Sequence, residues 1–462
     1  MRSNRERDRV AIRSEDGLEQ RDGGEPGQPV GPGVPQPSVG DPGLEKQPQP
    51  VDEIELDELL LTDREYWLQG PPHGVFARLR NECPVHWTER ITEYPNEDGY
   101  WSVTRADDIH TVSRDFKTYS SEVGGITAVT DGFPLELMRA MFIGMDPPKH
   151  DWLKMLFQAG FTPRRIAAHE PAIRAIATNV LDRLQGRDSC DLVTEVAQPT
   201  VSRVIGSFMG IPEEDDAIWA RLMQTSLSAG DPDIAPDGME SIVENEIPEI
   251  FARCTKLIAE RRENPTEDLT SVLVHAEIDG HKLEEHEIVM GFFLLMAAGN
   301  DSTKATYCSG MRALIDHPEQ RRELVNDPSL IPAAVEESLR MYPAFAHFRR
   351  TATCDTELAG QSIQAGDKVV MWYVSSNRDE SRYDDPDRFD VGRNPEHQAF
   401  GAGGRHFCLG TALARLELKV MFEETLRRYP EMKLSGRPNF VESGFLNQLK
   451  SMPVALGTRA ES

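Results

Sequence analysis

The chain opens with no hydrophobic period at all. Residues 1 to about 50 include "GLEQRDGGEPGQPVGPGVPQPSVGDPGLEKQPQP", a run of Pro, Gly, Gln and charge. No apolar position recurs at a helical or strand spacing there, so the segment has nothing to bury and is predicted to be disordered. From about Asp52 onward periods appear. "DPPKHDWLKMLFQAGFTPRRIAAHEPAIRAIATNVLDRL" predicts two helices parted at Thr162–Pro163, with proline at a first helical position. "HEIVMGFFLLMAAGNDSTKATYCSGMRALIDH" is apolar on nearly every side and predicts one long helix crossing the interior. "PAAVEESLRMYP" predicts a helix stopped at Pro343. "GYWSVTRADDI" reads as a strand running into a helix, and residues 349–374 alternate around Gly360 and Gly366 as short strands and turns. Helical spacing returns at Leu409–Tyr429, with Leu409, Leu413, Leu416 and Val420 on one face. The pattern is mainly α with a minor β region. It shows no internal repeat and no alternating βαβ order.

Composition sharpens this picture. The chain has 462 residues and a net charge of −27 spread along its length, which disfavours nucleic acid and anionic membrane surfaces as partners. The longest apolar run, Ile288–Ala298, is too short to span a bilayer and suits a buried helix. The first 50 residues lack the apolar region of a secretory signal. A cytoplasmic protein is expected, with a tail over 1–51 and a single domain over 52–462. Six cysteines lie scattered without a CxxC, so neither a zinc site nor a disulfide framework is indicated.

One cysteine stands apart. "FGAGGRHFCLG", residues 400–410, sets Cys408 among four glycines and two basic side chains at the start of the last predicted helix. A thiolate is a soft, strong iron ligand, and a helix N-terminus together with Arg405 and His406 would favour the anion. Glycines strip away side chains, so the backbone can lie flat against a large planar ligand. An iron porphyrin held by a thiolate accounts for all of these features together.

With these residues the chain resembles the cytochrome P-450 superfamily, whose haem-binding loop places Gly, Arg or His, and Gly where Gly404, His406 and Gly410 stand. Phe400 lies one residue further from the cysteine than the family's usual phenylalanine. The resemblance extends to "EESLR", where Glu337 and Arg340 share a helix face; the family buries such a pair against an arginine from a later loop, here expected to be Arg388 of "DPDRF". It extends also to "AAGNDST" on the long helix, where a polar cluster is costly unless used. Ala298 and Gly299 leave room beside an iron, and Asp301 with Ser302, or with Thr303, is placed to relay protons. Haem propionates need cationic partners, and the family's positions for these correspond to His150, Lys154, Arg350 and His406.

The resemblance implies a helix-rich triangular body, with haem b between the long central helix and the helix after Cys408. It implies a monooxygenase that inserts one oxygen atom of O2 into a C–H bond of a lipophilic small molecule. Steroids, branched lipids and terpenoids are the expected substrates. No flavin or reductase motif is present, so electrons from NAD(P)H are expected through a ferredoxin and its reductase, docking near Arg405. A peroxide-driven peroxygenase and a haem-binding sensor or carrier are the alternatives; Asp301 and Ser302 argue against the first. The pocket walls are expected from the region before Asp146, from Phe292–Ala298, from Ala344–Phe348 and from the "ESGFLNQ" stretch beginning at Glu442.

Overall fold

The helices that frame the interior are α1 (Ala106–Arg114), α2 (Lys149–Gln158), α3 (Glu170–Asp182), α4 (Gln198–Met209), α5 (Asp216–Leu227), α6 (Ile247–Glu263), α7 (Glu285–Asp316), α8 (Ile331–Met341) and α9 (Thr411–Arg428). The computed structural model describes residues 54–458 except 131–133, 159 and 279. The segment expected to be a disordered tail, 1–51, lies outside the described residues. The described residues form one compact unit.

The long apolar period becomes α7, 32 residues long and buried along most of its length. A capping box starts it: the Glu284 carboxylate accepts a backbone N–H of the first turn, and Glu287 reaches back to the Glu284 N–H. Close approach to its neighbours sets where α7 lies. A side chain at Gly299 would collide with Ile205 of α4, and one at Gly291 would collide with the Phe157 ring of α2. The apolar faces of α2, α4, α5, α6 and α7 share one core. A second core lies where α3, α7, α8 and α9 meet.

The largest sheet of the β region is five-stranded, of β1 (Val85–Thr88), β2 (Tyr100–Val103), β3 (Tyr119–Ser120), β4 (His347–Ala352) and β5 (Lys368–Trp372), in the order β1-β2-β5-β4-β3. β5 runs parallel to β2 and antiparallel to β4, with Val369 opposite Arg350. Every residue of β5 is buried, as a central strand covered on both faces requires.

Three local expectations need correction. The helix predicted after Pro163 is two, Pro163–Ala168 and α3, separated at His169. Pro171 at the start of α3 has no N–H to continue the first ladder. The last helix begins at Thr411 rather than Leu409, so Cys408 precedes its N-cap, Gly410. The third correction concerns the buried ion pair. Glu337 and Arg340 are fully buried and joined by two hydrogen bonds of 2.7 Å. The arginine that completes the group is Arg393, with Nε 3.3 Å from Glu337 Oε1. Arg388 points outward to Asp385 and Asp390 and offers only its carbonyl to Arg340 and Arg393.

Candidate active site

A cavity of about 600 Å³ lies between α7, β4 and the loop that leads into α9. All four stretches expected to wall it do so in part: Met138 and Phe142, Phe293 to Ala298 in part, Phe345 with Phe348, and Glu442 to Phe445. Cys408 opens onto it. Its accessible surface faces this protein-walled space, so the thiol behaves as a buried group although it is not covered. Burial pushes the thiol pKa up; the Gly410 N–H and the charges of Lys154 and Arg415 oppose that shift. These groups, and not Arg405, favour the anion. Arg405 is turned outward to Asp151, at 2.6 Å, and over the Phe116 ring.

The loop around Cys408 shows what its glycines do. Gly401, Gly403 and Gly404 all have positive φ, between 80° and 93°. These turns absorb the extra residue between Phe400 and Cys408 and still let Cys408 N–H donate to the Phe400 carbonyl at 2.9 Å. A side chain at Gly404 would lie 2.6 Å from the Ser113 carbonyl of α1. Gly401 and Gly410 border the cavity, whereas Gly403 and Gly404 do not. Half of the expected clearance for a planar ligand is thus clearance for α1. The Phe400 ring is covered by Arg415, 4.8 Å away.

His150, Lys154, Arg350 and His406 all border the cavity. The His150 and His406 rings lie 4.2 Å apart. His150 Nδ1 meets Asp151 at 2.9 Å, and His406 Nε2 meets Ser121 at 3.3 Å. Lys154 donates to the carbonyls of Arg405 and Phe407, bracing the cysteine loop. Arg350 is buried, and its one hydrogen bond among the described contacts goes to the Arg349 carbonyl at 2.7 Å. Burial lowers the pKa of each of the four, and Arg350, His150 and Lys154 each lower that of His406 further. Arg349 points to the opposite face of β4, where Thr127 and Thr351 receive it. The result is a cluster of four basic side chains beside a cysteine, the cations Lys154 and Arg350 and two imidazoles whose charged forms burial disfavours. A planar group with two carboxylates and a metal centre fits this donor set.

On α7, Ser302 and Thr303 border the cavity and Asp301 does not. Ser302 Oγ donates to the Ala298 carbonyl at 2.7 Å. Asp301 is buried behind the wall, where Oδ1 receives Lys304 Nζ at 2.6 Å. Lys304 also donates to Gln198 of α4 at 2.7 Å, and Asp301 Oδ2 has no partner. Thr303 hydrogen-bonds to Glu417 of α9, a fully enclosed carboxyl whose pKa burial raises to about 8.

Glu417 also borders the cavity and was not singled out from sequence. Its signal was legible, since it falls four residues after Leu413 and three before Val420, on the apolar face of α9. A carboxyl with a folded pKa near 8 and an ordinary unfolded one near 4.5 keeps its proton longer when folded. Its stabilising contribution is therefore complete below the lower value and is lost as pH rises through the higher one. Glu417→Gln is expected to melt progressively higher than the parent as pH is raised from about 5.5 to about 8. Thermal melts across that range check it, and parallel curves would refute the neutral-acid assignment.

His347 was likewise not singled out. It is buried, with its pKa lowered to about 4 by desolvation. Its Nε2 accepts the Ala128 N–H at 3.1 Å, so its proton sits on Nδ1, which donates to the Gly444 carbonyl at 2.8 Å. One imidazole thus ties two walls of the cavity together.

The fold and this site define a cytochrome P450, and the chain belongs to that family. The cytochrome P450 family model matches residues 236–451. Among curated relatives, a methyl-branched lipid omega-hydroxylase of Mycobacterium tuberculosis is 37% identical, covering 88% of this chain and 96% of the relative. A steroid C26-monooxygenase of Rhodococcus jostii is 32% identical over 85% of this chain and 83% of its own length. Among solved structures, a cytochrome P450 of Mycobacterium marinum in complex with pseudoionone is 36% identical. It matches with a TM-score of 0.81 over 87% of this chain and all of its own. The protein is accordingly a monooxygenase of a haem-carrying family. No described helix is long and apolar enough to cross a membrane.

Proposed function

We propose that the chain hydroxylates a lipophilic small molecule of the steroid, branched-lipid or terpenoid kind. The observation that carries this is the cavity itself, mostly apolar in its wall, with Cys408 and four basic side chains on its border. The kinds of molecule named for the relatives and neighbour above are of this sort.

In this reading Cys408 holds the iron, and His150, Lys154, Arg350 and His406 hold the haem carboxylates. The haem, when bound, supplies O2 activation and insertion of one oxygen atom into a C–H bond. The protein's part is placement and proton supply. Phe293, Phe345 and Phe348 press the substrate's apolar body and exclude water. Ser302 and Thr303 present hydroxyls at the cavity wall. Asp301, tied to Lys304 and through it to Gln198, passes protons from the α4 side to those hydroxyls. Glu417 receives the Thr303 hydroxyl and fixes its orientation at the cavity wall. Electrons come from NAD(P)H through a separate ferredoxin and its reductase, which dock around Arg405.

A spectral-shift screen of steroids, branched fatty acids and terpenes against the ferric protein tests the substrate class. Shifts only with small polar ligands would overturn it. Asp301→Asn is expected to lower product formation roughly 10²-fold or more, the scale of lost proton transfer, while substrate and O2 still bind. Turnover equal to the parent, with a ferredoxin and reductase supplied, would remove the relay.

A further inference from the structure

β4 measures the cavity from one end to the other. At Arg350 it borders His406 and the cysteine loop. Three residues back, about 10 Å along the strand, His347 holds Gly444. Beyond it lie Glu442, Arg64 and Glu93, which border the same cavity and also reach solvent. This is the mouth, and its charge is one-sided. Arg64 Nε sits 3.3 Å from Glu442 Oε2, and the Arg64 backbone N–H donates to Glu93. Lys450 is shared by Glu442 at 3.6 Å, Asp231 at 3.0 Å and Asp233 at 2.6 Å. Asp63 and Glu65 stand close enough to Glu93 to raise its pKa further after desolvation, and Arg90 lies near Asp63. Around the mouth the carboxylates Asp63, Glu65, Glu93, Glu442, Asp231 and Asp233 outnumber Arg64, Arg90 and Lys450; of these, Glu93, Glu442 and Arg64 border the cavity itself. Arg64 and Lys450 are already engaged.

We infer that the mouth selects against substrates whose polar end is a carboxylate and receives a hydroxyl instead. This rests on the monooxygenase reading above. With the apolar body against Phe293 and Phe348, the far end of the substrate comes to Glu93 and Glu442. A hydroxyl there donates to a carboxylate oxygen without adding charge. A carboxylate would bring a further negative group to a site already in anionic excess. Free fatty acids are then poor ligands, whereas alcohols with the same apolar body are good ones. Glu93 and Glu442 are the specificity-determining residues.

The test uses the haem-loaded enzyme and two ligand pairs, one steroid and one methyl-branched chain, each as the alcohol and as the carboxylate on the same body. Dissociation constants are read by equilibrium dialysis, which needs no haem signal, and by the ferric spectral shift. The alcohol is expected to bind at least about tenfold tighter, a difference of about 1.4 kcal/mol. The double variant Glu93→Gln, Glu442→Gln is expected to bring that ratio below about threefold. Glu93→Gln alone breaks no salt bridge among the described residues and should move it in the same direction. A parent that binds the carboxylate as tightly as the alcohol, or a ratio unmoved by both variants, overturns the inference. The ferrous–CO spectrum of the same samples reports separately on the haem-thiolate reading, so the two fail in different signals.

Discussion

Cys408→Ala is expected to lose the thiolate-type Soret band of the ferrous–CO complex and all product formation, while the polypeptide still folds. The thiol opens onto the cavity and receives the Gly410 N–H, so the fold has little reason to notice its loss. The loop is held by other bonds: Cys408 N–H to the Phe400 carbonyl, Ser113 to the Gly403 carbonyl, and Lys154 to the carbonyls of Arg405 and Phe407. None involves the sulfur. The CO-difference spectrum and far-UV circular dichroism, measured together, check both halves of the expectation. A variant that kept the thiolate band would show that the ligand lies elsewhere. A variant that unfolded would show that the sulfur carries structural weight these contacts do not reveal.

The second large effect is structural. Arg340→Ala is expected to cost about 3–5 kcal/mol, the penalty of leaving a buried charge without its partner. Glu337 would lose both 2.7 Å bonds and keep only the Asp390 N–H at 3.0 Å and Arg393 at 3.3 Å. The carbonyls of Asn377 and Pro386, each now receiving Arg340 Nη1 at 2.8 Å, would lose that donor as well. These carbonyls belong to the segment leading to the cysteine loop, so haem content should fall with stability. Arg393→Ala is expected to destabilise measurably, and Arg388→Ala by no more than about 0.5 kcal/mol, as for an ordinary surface change. Chemical denaturation of the three variants checks the ranking. Equal effects for Arg388 and Arg393 would contradict the assignment of the third arginine.

That arginine shows where sequence reading stops. Arg388 and Arg393 stand five residues apart in one acidic loop, and only the turn between them decides which one faces inward. Elements with a strong period were legible. The length of α7 follows from its apolar run, and α8 from the spacing that pairs Glu337 with Arg340. The break at His169 was hidden, because an apolar period continues across it and only Pro171 marks it. In the site, Cys408 was legible because thiol, glycines and basic groups are adjacent in the chain. Asp301 was named from its place beside Ser302, but its pairing with Lys304 behind the cavity wall depends on helix rotation. Glu417 could have been found, since a carboxylate on an apolar helix face needs an explanation. His347 could not, because its two partners lie far from it in the chain.

The bridge at His347 has a bearing on how this cavity varies. The stretch around Ala128 and the stretch around Gly444 are held to a common imidazole, so neither wall is free to move alone. A change in one is transmitted to the other through a rigid, singly tautomeric ring. Substitutions in the two stretches should therefore be epistatic, with coupling energies of about 0.5–3 kcal/mol as for residues sharing one network. Removing the ring, as in His347→Leu, would uncouple them. Selectivity altered in one wall would then be inherited independently of the other, and the range of ligand shapes accepted by neighbouring variants would widen.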